Sequence, residues 1–117
     1  MAGSFDVAEE VVQDRARVLA VSGDLDAPCA PAFKERLLTG VAEGGPVVLD
    51  LTGVTYIDSP VLGAMFAARK EAGITRTNFA VVCEGEIRRL FEITGLDIAF
   101  EVVETRAEAL EHLAAVA

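Results

Sequence analysis

The sequence predicts an α/β fold with one central mixed sheet of four to five strands and about four helices. Three observations lead there. Short β-branched and aliphatic runs alternate along the chain with segments of helical periodicity. Two of those runs, Val47–Leu51 and Asn78–Cys83, are almost continuously apolar, as strands covered by helices on both faces are. Glycine- and proline-bearing turns such as Ser22-Gly23-Asp24 and Glu43-Gly44-Gly45-Pro46 separate the segments.

Taken in order, Phe5, Val7 and then Val11-Val12 suggest a short first strand followed by a turn, and Arg17–Val21 forms a second, stopped by Ser22-Gly23-Asp24. Pro28 and Pro31 open a helix whose Phe33, Leu37, Leu38 and Val41 make one apolar stripe. Thr39-Gly40 and Glu43-Gly44-Gly45-Pro46 end it. After the Val47–Leu51 strand and Tyr56-Ile57, Ser59-Pro60 opens a second helix through Ala72, closed by Gly73. The strand at Asn78–Cys83 precedes a helix over Glu86–Thr94, ended by Gly95 in a left-handed cap with Leu96 packing back on Phe91. Ile98–Val103 reads as a last strand. Thr105-Arg106-Ala107-Glu108 is a capping box that starts a final helix, with Ala109, Leu110, Leu113 and Val116 facing inward.

The chain has 117 residues, enough for one domain over 1–117. Its 19 acids against 10 bases give a net charge of −9, which excludes nucleic acid and anionic membrane as main partners. The N-terminal residues lack the basic and apolar regions of a signal peptide, and no apolar stretch is long enough to span a bilayer. The expected location is the cytoplasm, with Cys29 and Cys83 as reduced thiols.

Catalytic chemistry is hard to assemble from these residues. The single histidine, His112, sits on the final helix at a solvated position, with no partner placed nearby for general-base work. Nucleophile elbows, P-loops and dinucleotide fingerprints are missing from the sequence. Asp24 and Asp26 form a DxD pair, but no further acid stands at ligand spacing. Asp26 reads more simply as the cap of the helix that Pro28 begins. The expectation is a protein without enzyme activity, metal or cofactor.

Ser59 stands at a strand-to-helix junction ahead of Pro60, which makes it a candidate N-cap, and that structural role alone could account for it. As a cap, its replacement by alanine would cost on the order of 1 kcal/mol.

The wider pattern adds a second role. Asp50-Leu51-Thr52-Gly53-Val54, then Tyr56-Ile57-Asp58-Ser59 and Leu62-Gly63, resembles the phosphoacceptor segment of bacterial anti-sigma factor antagonists of the STAS family. Gly23-Asp24-Leu25-Asp26 is similar to the family's stretch ahead of the first helix. Gly73 with the following Phe79–Cys83 strand, and Ile87–Phe91 with Thr94-Gly95-Leu96-Asp97, match in order. The resemblance covers Phe5 to Leu113.

What it implies is a transcription-regulating, stress-responsive protein–protein switch on a STAS-like domain. The unphosphorylated form would bind an anti-sigma factor that is also a serine kinase, releasing the sigma factor. Phosphorylation of Ser59 would end the contact, and a PP2C-type serine phosphatase would reset it. Carried over, Asp26, Asp58, Ser59, Pro60 and Val61 form the partner-binding set, on a monomer or weak dimer. Pro60 and Val61 depart from the family, which has Ser or Ala and then Gly there; Pro60 stiffens the entry, and Val61 adds bulk where a partner lies close. Two other readings stay open: a STAS scaffold module of a stress-signalling or lipid-transport complex, and a small nucleotide-binding α/β protein.

Overall fold

The computed structural model describes residues 5–13 and 15–115. Its strands are β1 (Phe5–Val12), β2 (Ala16–Leu25), β3 (Val47–Ile57), β4 (Phe79–Val82) and β5 (Glu101–Val103). Its helices are α1 (Ala30–Ala42), α2 (Ser59–Ala72), α3 (Gly85–Thr94), the single turn α4 (Leu96–Ala99) and α5 (Arg106–Ala115). A 3-10 turn, Ala27–Cys29, joins β2 to α1.

The sheet has five strands in the order β1-β2-β3-β4-β5. The β1–β2 hairpin is antiparallel, and the remaining neighbours run parallel. It is therefore the expected mixed sheet, with β3 and β4 adjacent in its interior. One face carries Leu19, Val21, Leu49, Leu51, Phe79 and Val81 and is covered by α1 to α4. The other carries Val18, Val48, Ala80 and Val82 beneath Ala109 and Leu113 of α5. Phe33, Phe79, Phe91 and Phe100 are fully buried, each worth about 1.5–3 kcal/mol of apolar burial.

β1 pairs with β2 along its whole length, from Phe5 opposite Gly23 to Val12 opposite Ala16, and β2 runs past the expected stop at Ser22-Gly23-Asp24 to Leu25. β3 runs on through Tyr56-Ile57 because β2 does the same beside it, with Leu25 opposite Ile57. The ladder absorbs register shifts along the way, between Ala20 and Ser22 and between Gly23 and Asp24. Gly53 lies in this stretch, and a Cβ there would come within 3.0 Å of the Val21 carbonyl oxygen.

Thr39-Gly40 does not end the first helix. Gly40 is buried, and a Cβ on it would lie 2.9 Å from Leu19 Cδ1, so the missing side chain lets α1 lie close on β2. The last strand is also shorter than Ile98–Val103. Ile98 donates its N–H to the Gly95 carbonyl and Phe100 to that of Leu96, which coils this stretch into α4 before β5. Gly73 and Gly95 are the expected left-handed helix ends. The Thr105–Glu108 capping box forms reciprocally, with the Glu108 N–H 3.1 Å from Thr105 Oγ1 and the Thr105 N–H 3.1 Å from Glu108 Oε1. Val116 lies outside the described residues.

A charged pair pins α5 to the sheet. Asp50, 6% exposed, lies on the same face as Val48 and accepts hydrogen bonds from Arg106 Nη2 at 2.8 Å and Nε at 3.1 Å. Its other oxygen accepts the Thr52 N–H at 2.9 Å and the Thr52 hydroxyl at 2.7 Å. Burial pushes the Asp50 carboxyl up, but the Thr52 bonds and the Arg106 guanidinium outweigh it and hold the group below its ordinary value.

Candidate functional site

Because β2 and β3 are parallel neighbours, their C-terminal ends lie side by side, with Asp24 opposite Tyr56 and Leu25 opposite Ile57. The chain leaves β2 into the Asp26 turn and leaves β3 into Asp58-Ser59. Two segments far apart in sequence thus meet at one end of the sheet, where open α/β folds commonly place their sites.

Asp58 is the joint between them. Its N–H extends the ladder by donating to the Leu25 carbonyl at 2.9 Å. Its Oδ2 accepts the Ala27 N–H at 2.7 Å, and its Oδ1 accepts the Tyr56 hydroxyl. Residues 56 and 58 share a face because the chain between them is still extended. The Thr55 hydroxyl adds a further link, donating to Asp24 Oδ1 at 2.6 Å.

The helix begins one residue earlier than expected. The Asp58 carbonyl accepts the Val61 N–H at 3.0 Å, so Asp58, with extended φ and ψ of −88° and 154°, is the N-cap. Ser59 is therefore not the cap but the first helical residue, with Pro60 second, and no side chain caps the helix. Asp26 is likewise at the head of its turn without a side-chain cap: Pro28 has no N–H to offer, and the Cys29 N–H goes to the Asp26 carbonyl at 3.0 Å. Asp26 Oδ1 is buried with no hydrogen-bond partner among the described residues.

Ser59 and Pro60 are exposed, and Asp26 and Asp58 are half-buried. Along α2, Ser59, Gly63, Phe66 and Lys70 follow at helical spacing and all face solvent, Phe66 with 42% of its surface. A Cβ on Gly63 would meet nothing within 4 Å. Val61, in contrast, is 0% exposed and belongs to the apolar core with Leu62 and Met65. The expectation that Val61 adds bulk to a docking face is corrected: at the third helical position its side chain turns inward.

Tyr56 is 51% exposed and was not singled out from the sequence, although its i, i+2 relation to Asp58 on an extended chain was readable. The hydrogen bond to Asp58, then the charges of Asp58, Asp24 and Asp26 together with slight desolvation, raise its phenol above the ordinary value. The site is thus a negative surface with an exposed hydroxyl at a helix N-terminus. His112 is elsewhere. It is half-buried rather than solvated, its Nε2 2.7 Å from the Arg76 carbonyl oxygen. No group of three His, Cys, Asp or Glu residues that could hold a metal comes together among the described residues.

The STAS domain family model matches residues 8–109. The chain belongs to the STAS domain family. Among its relatives, this STAS domain is 37% identical to the anti-sigma-B factor antagonist of Listeria monocytogenes over 90 residues, 75% of this chain and 79% of that protein. It superposes on the crystal structure of an anti-sigma factor antagonist from Mycobacterium paratuberculosis with a TM-score of 0.83 and 30% identity, covering 97% of this chain and 99% of the other. The anti-sigma factor antagonist SpoIIAA in its unphosphorylated form shares the fold, with a TM-score of 0.69 at 16% identity, over 96% and 99% of the two chains. Among the described residues, no helix of this STAS domain is long and apolar enough to cross a membrane.

Proposed function

We propose that this STAS domain is an anti-sigma factor antagonist, acting in the cytoplasm and switched by phosphorylation of Ser59. The unphosphorylated form docks on an anti-sigma factor that is also a serine kinase, through Asp26, Asp58, Ser59 and Pro60, and thereby frees the sigma factor. Val61 contributes from beneath, by packing the first turn of α2 onto the core. The kinase supplies ATP and metal, so this chain needs no cofactor and carries out no catalysis of its own. A PP2C-type phosphatase restores the serine.

One observation carries the reading. Ser59 Oγ is on an exposed residue at the first position of a helix, on the same end of the sheet as Asp26 and Asp58. In the transfer, Ser59 Oγ attacks the γ-phosphorus of ATP, the bond to ADP breaks, and the hydroxyl proton passes to a base of the kinase. The positive partial charge at the N-terminus of α2 favours a phosphate there, even with Pro60 lacking an N–H and the Val61 N–H held by the Asp58 carbonyl, so the fold tolerates the product. The added charge of about −1.5 to −2 falls on a docking surface that is already negative. The names of the relatives support the antagonist class, and the 30–37% identities extend over most of the chain.

The test is incubation with an anti-sigma factor kinase of the same organism and ATP, followed by mapping of phosphopeptides. Label at Ser59, and none in Ser59→Ala, is expected. Label at another residue, or undiminished label in Ser59→Ala, would overturn the assignment.

A further inference from the structure

Asp58 occupies the N-cap of α2 but does no capping there. Its two carboxylate oxygens are engaged elsewhere, Oδ2 by the Ala27 N–H at 2.7 Å and Oδ1 by the Tyr56 hydroxyl. The Ala27–Cys29 turn has no side-chain cap of its own, although Asp26 stands at its head. What holds the start of that turn is therefore a carboxylate 31 residues further along the chain. The same residue is covalently next to Ser59. Its main chain is fixed on both sides, by Leu25 and by Val61 at 2.9 and 3.0 Å, so the carboxylate is the part free to respond.

We propose that Asp58 is a positioning residue that ties the Asp26 turn to the Ser59 end of α2, and that a phosphate on Ser59 alters the docking surface by loosening this tie. The second half rests on Ser59 as phosphoacceptor, the reading proposed above. Like charges one residue apart repel, and Asp24 and Asp26 already add negative field at this end of the molecule. The phosphate competes for the positive end of α2, while Asp58 gains nothing from staying close. Opening of the Ala27–Asp58 bond becomes about tenfold more frequent, equivalent to about 1.4 kcal/mol. The switch then acts on two segments of the surface, although only one is modified.

The test needs neither kinase nor partner. The full chain is made with phosphoserine incorporated at position 59 during synthesis, and amide exchange at Ala27 is followed by NMR, with Val81 in β4 as the reference for global opening. Phosphoserine is expected to speed Ala27 exchange about tenfold and leave Val81 unchanged. In Asp58→Asn, which keeps an acceptor oxygen without the charge, the phosphate effect should shrink below about twofold. In Asp58→Ala, Ala27 should exchange fast with or without the phosphate. Unchanged or slower Ala27 exchange on phosphorylation, acceleration shared by Val81, or an undiminished effect in Asp58→Asn would each overturn the proposal. If a kinase proves to label another residue, the functional reading fails while this tie, measured on the synthetic phosphoprotein, stands.

Discussion

Replacing Arg106 by alanine removes the guanidinium from Asp50 and leaves a carboxylate that is 6% exposed with only Thr52 for company. Breaking a fully buried ion pair costs about 3–5 kcal/mol, and an exposed pair is worth about 0–1 kcal/mol. This pair lies between the limits. The Asp50 side chain is 9% exposed and that of Arg106 38%, so water can approach from the arginine side once it is gone. The 2.9 Å contact of Arg106 with Glu10 is at the surface and adds little. The expected loss is about 2 kcal/mol, read by urea unfolding at neutral pH, with a melting temperature lower by about 8 °C. The pH dependence gives an independent check. Asp50 has its folded-state pKa depressed, so the stability it contributes is fully present above the ordinary carboxyl value of 3.8 and is lost as pH falls through the lower folded value. The gap between the native protein and Arg106→Ala should therefore close in acid. A variant within about 0.5 kcal/mol of native at neutral pH, or a gap that widens as the pH falls, would refute the pinning of α5 by this pair.

Two further outcomes follow from positions the structure assigns. Ser59 is the first helical residue with no capping bond, so Ser59→Ala should unfold within about 0.5 kcal/mol of native, measured by thermal melts; a loss above about 1 kcal/mol would restore the capping role. Cys29 and Cys83 are both 0% exposed, and burial pushes the Cys83 thiol up to about 11. A thiol reagent at neutral pH should label neither in the native protein and both in denaturant, and rapid native labelling of Cys83 would contradict that placement.

The parts of the fold that were legible in the sequence are those decided within a few residues. Val47–Leu51 and Phe79–Cys83 declare interior strands by unbroken apolar character, and Thr105 with Glu108 declares a helix start by spacing alone. What escaped depends on contacts between distant segments. The full extents of β2 and β3 come from pairing with each other, and Gly40 reads as a stop until Leu19 is seen beside it. Asp50 and Arg106 are 56 residues apart, and nothing local marks either as half of a pair. The site was legible as a set of residues but not as a geometry. Asp26 and Asp58-Ser59-Pro60 come to the same end of the sheet, whereas Val61 turns into the apolar core. The role of Asp58 as joint was hidden, since it depends on Ala27 arriving from the other segment.

The switch itself is tested most directly by one affinity comparison. Unmodified protein, Ser59→Ala and the form carrying phosphoserine at 59 are titrated calorimetrically into the anti-sigma factor kinase without nucleotide turnover. The unmodified and alanine forms should bind alike, since neither carries charge at position 59 and the fold does not rely on the hydroxyl. The phosphorylated form should bind at least about tenfold more weakly, or about 1.4 kcal/mol, because its charge falls on the docking surface. Equal affinity for the phosphorylated and unmodified forms would contradict a switch at Ser59.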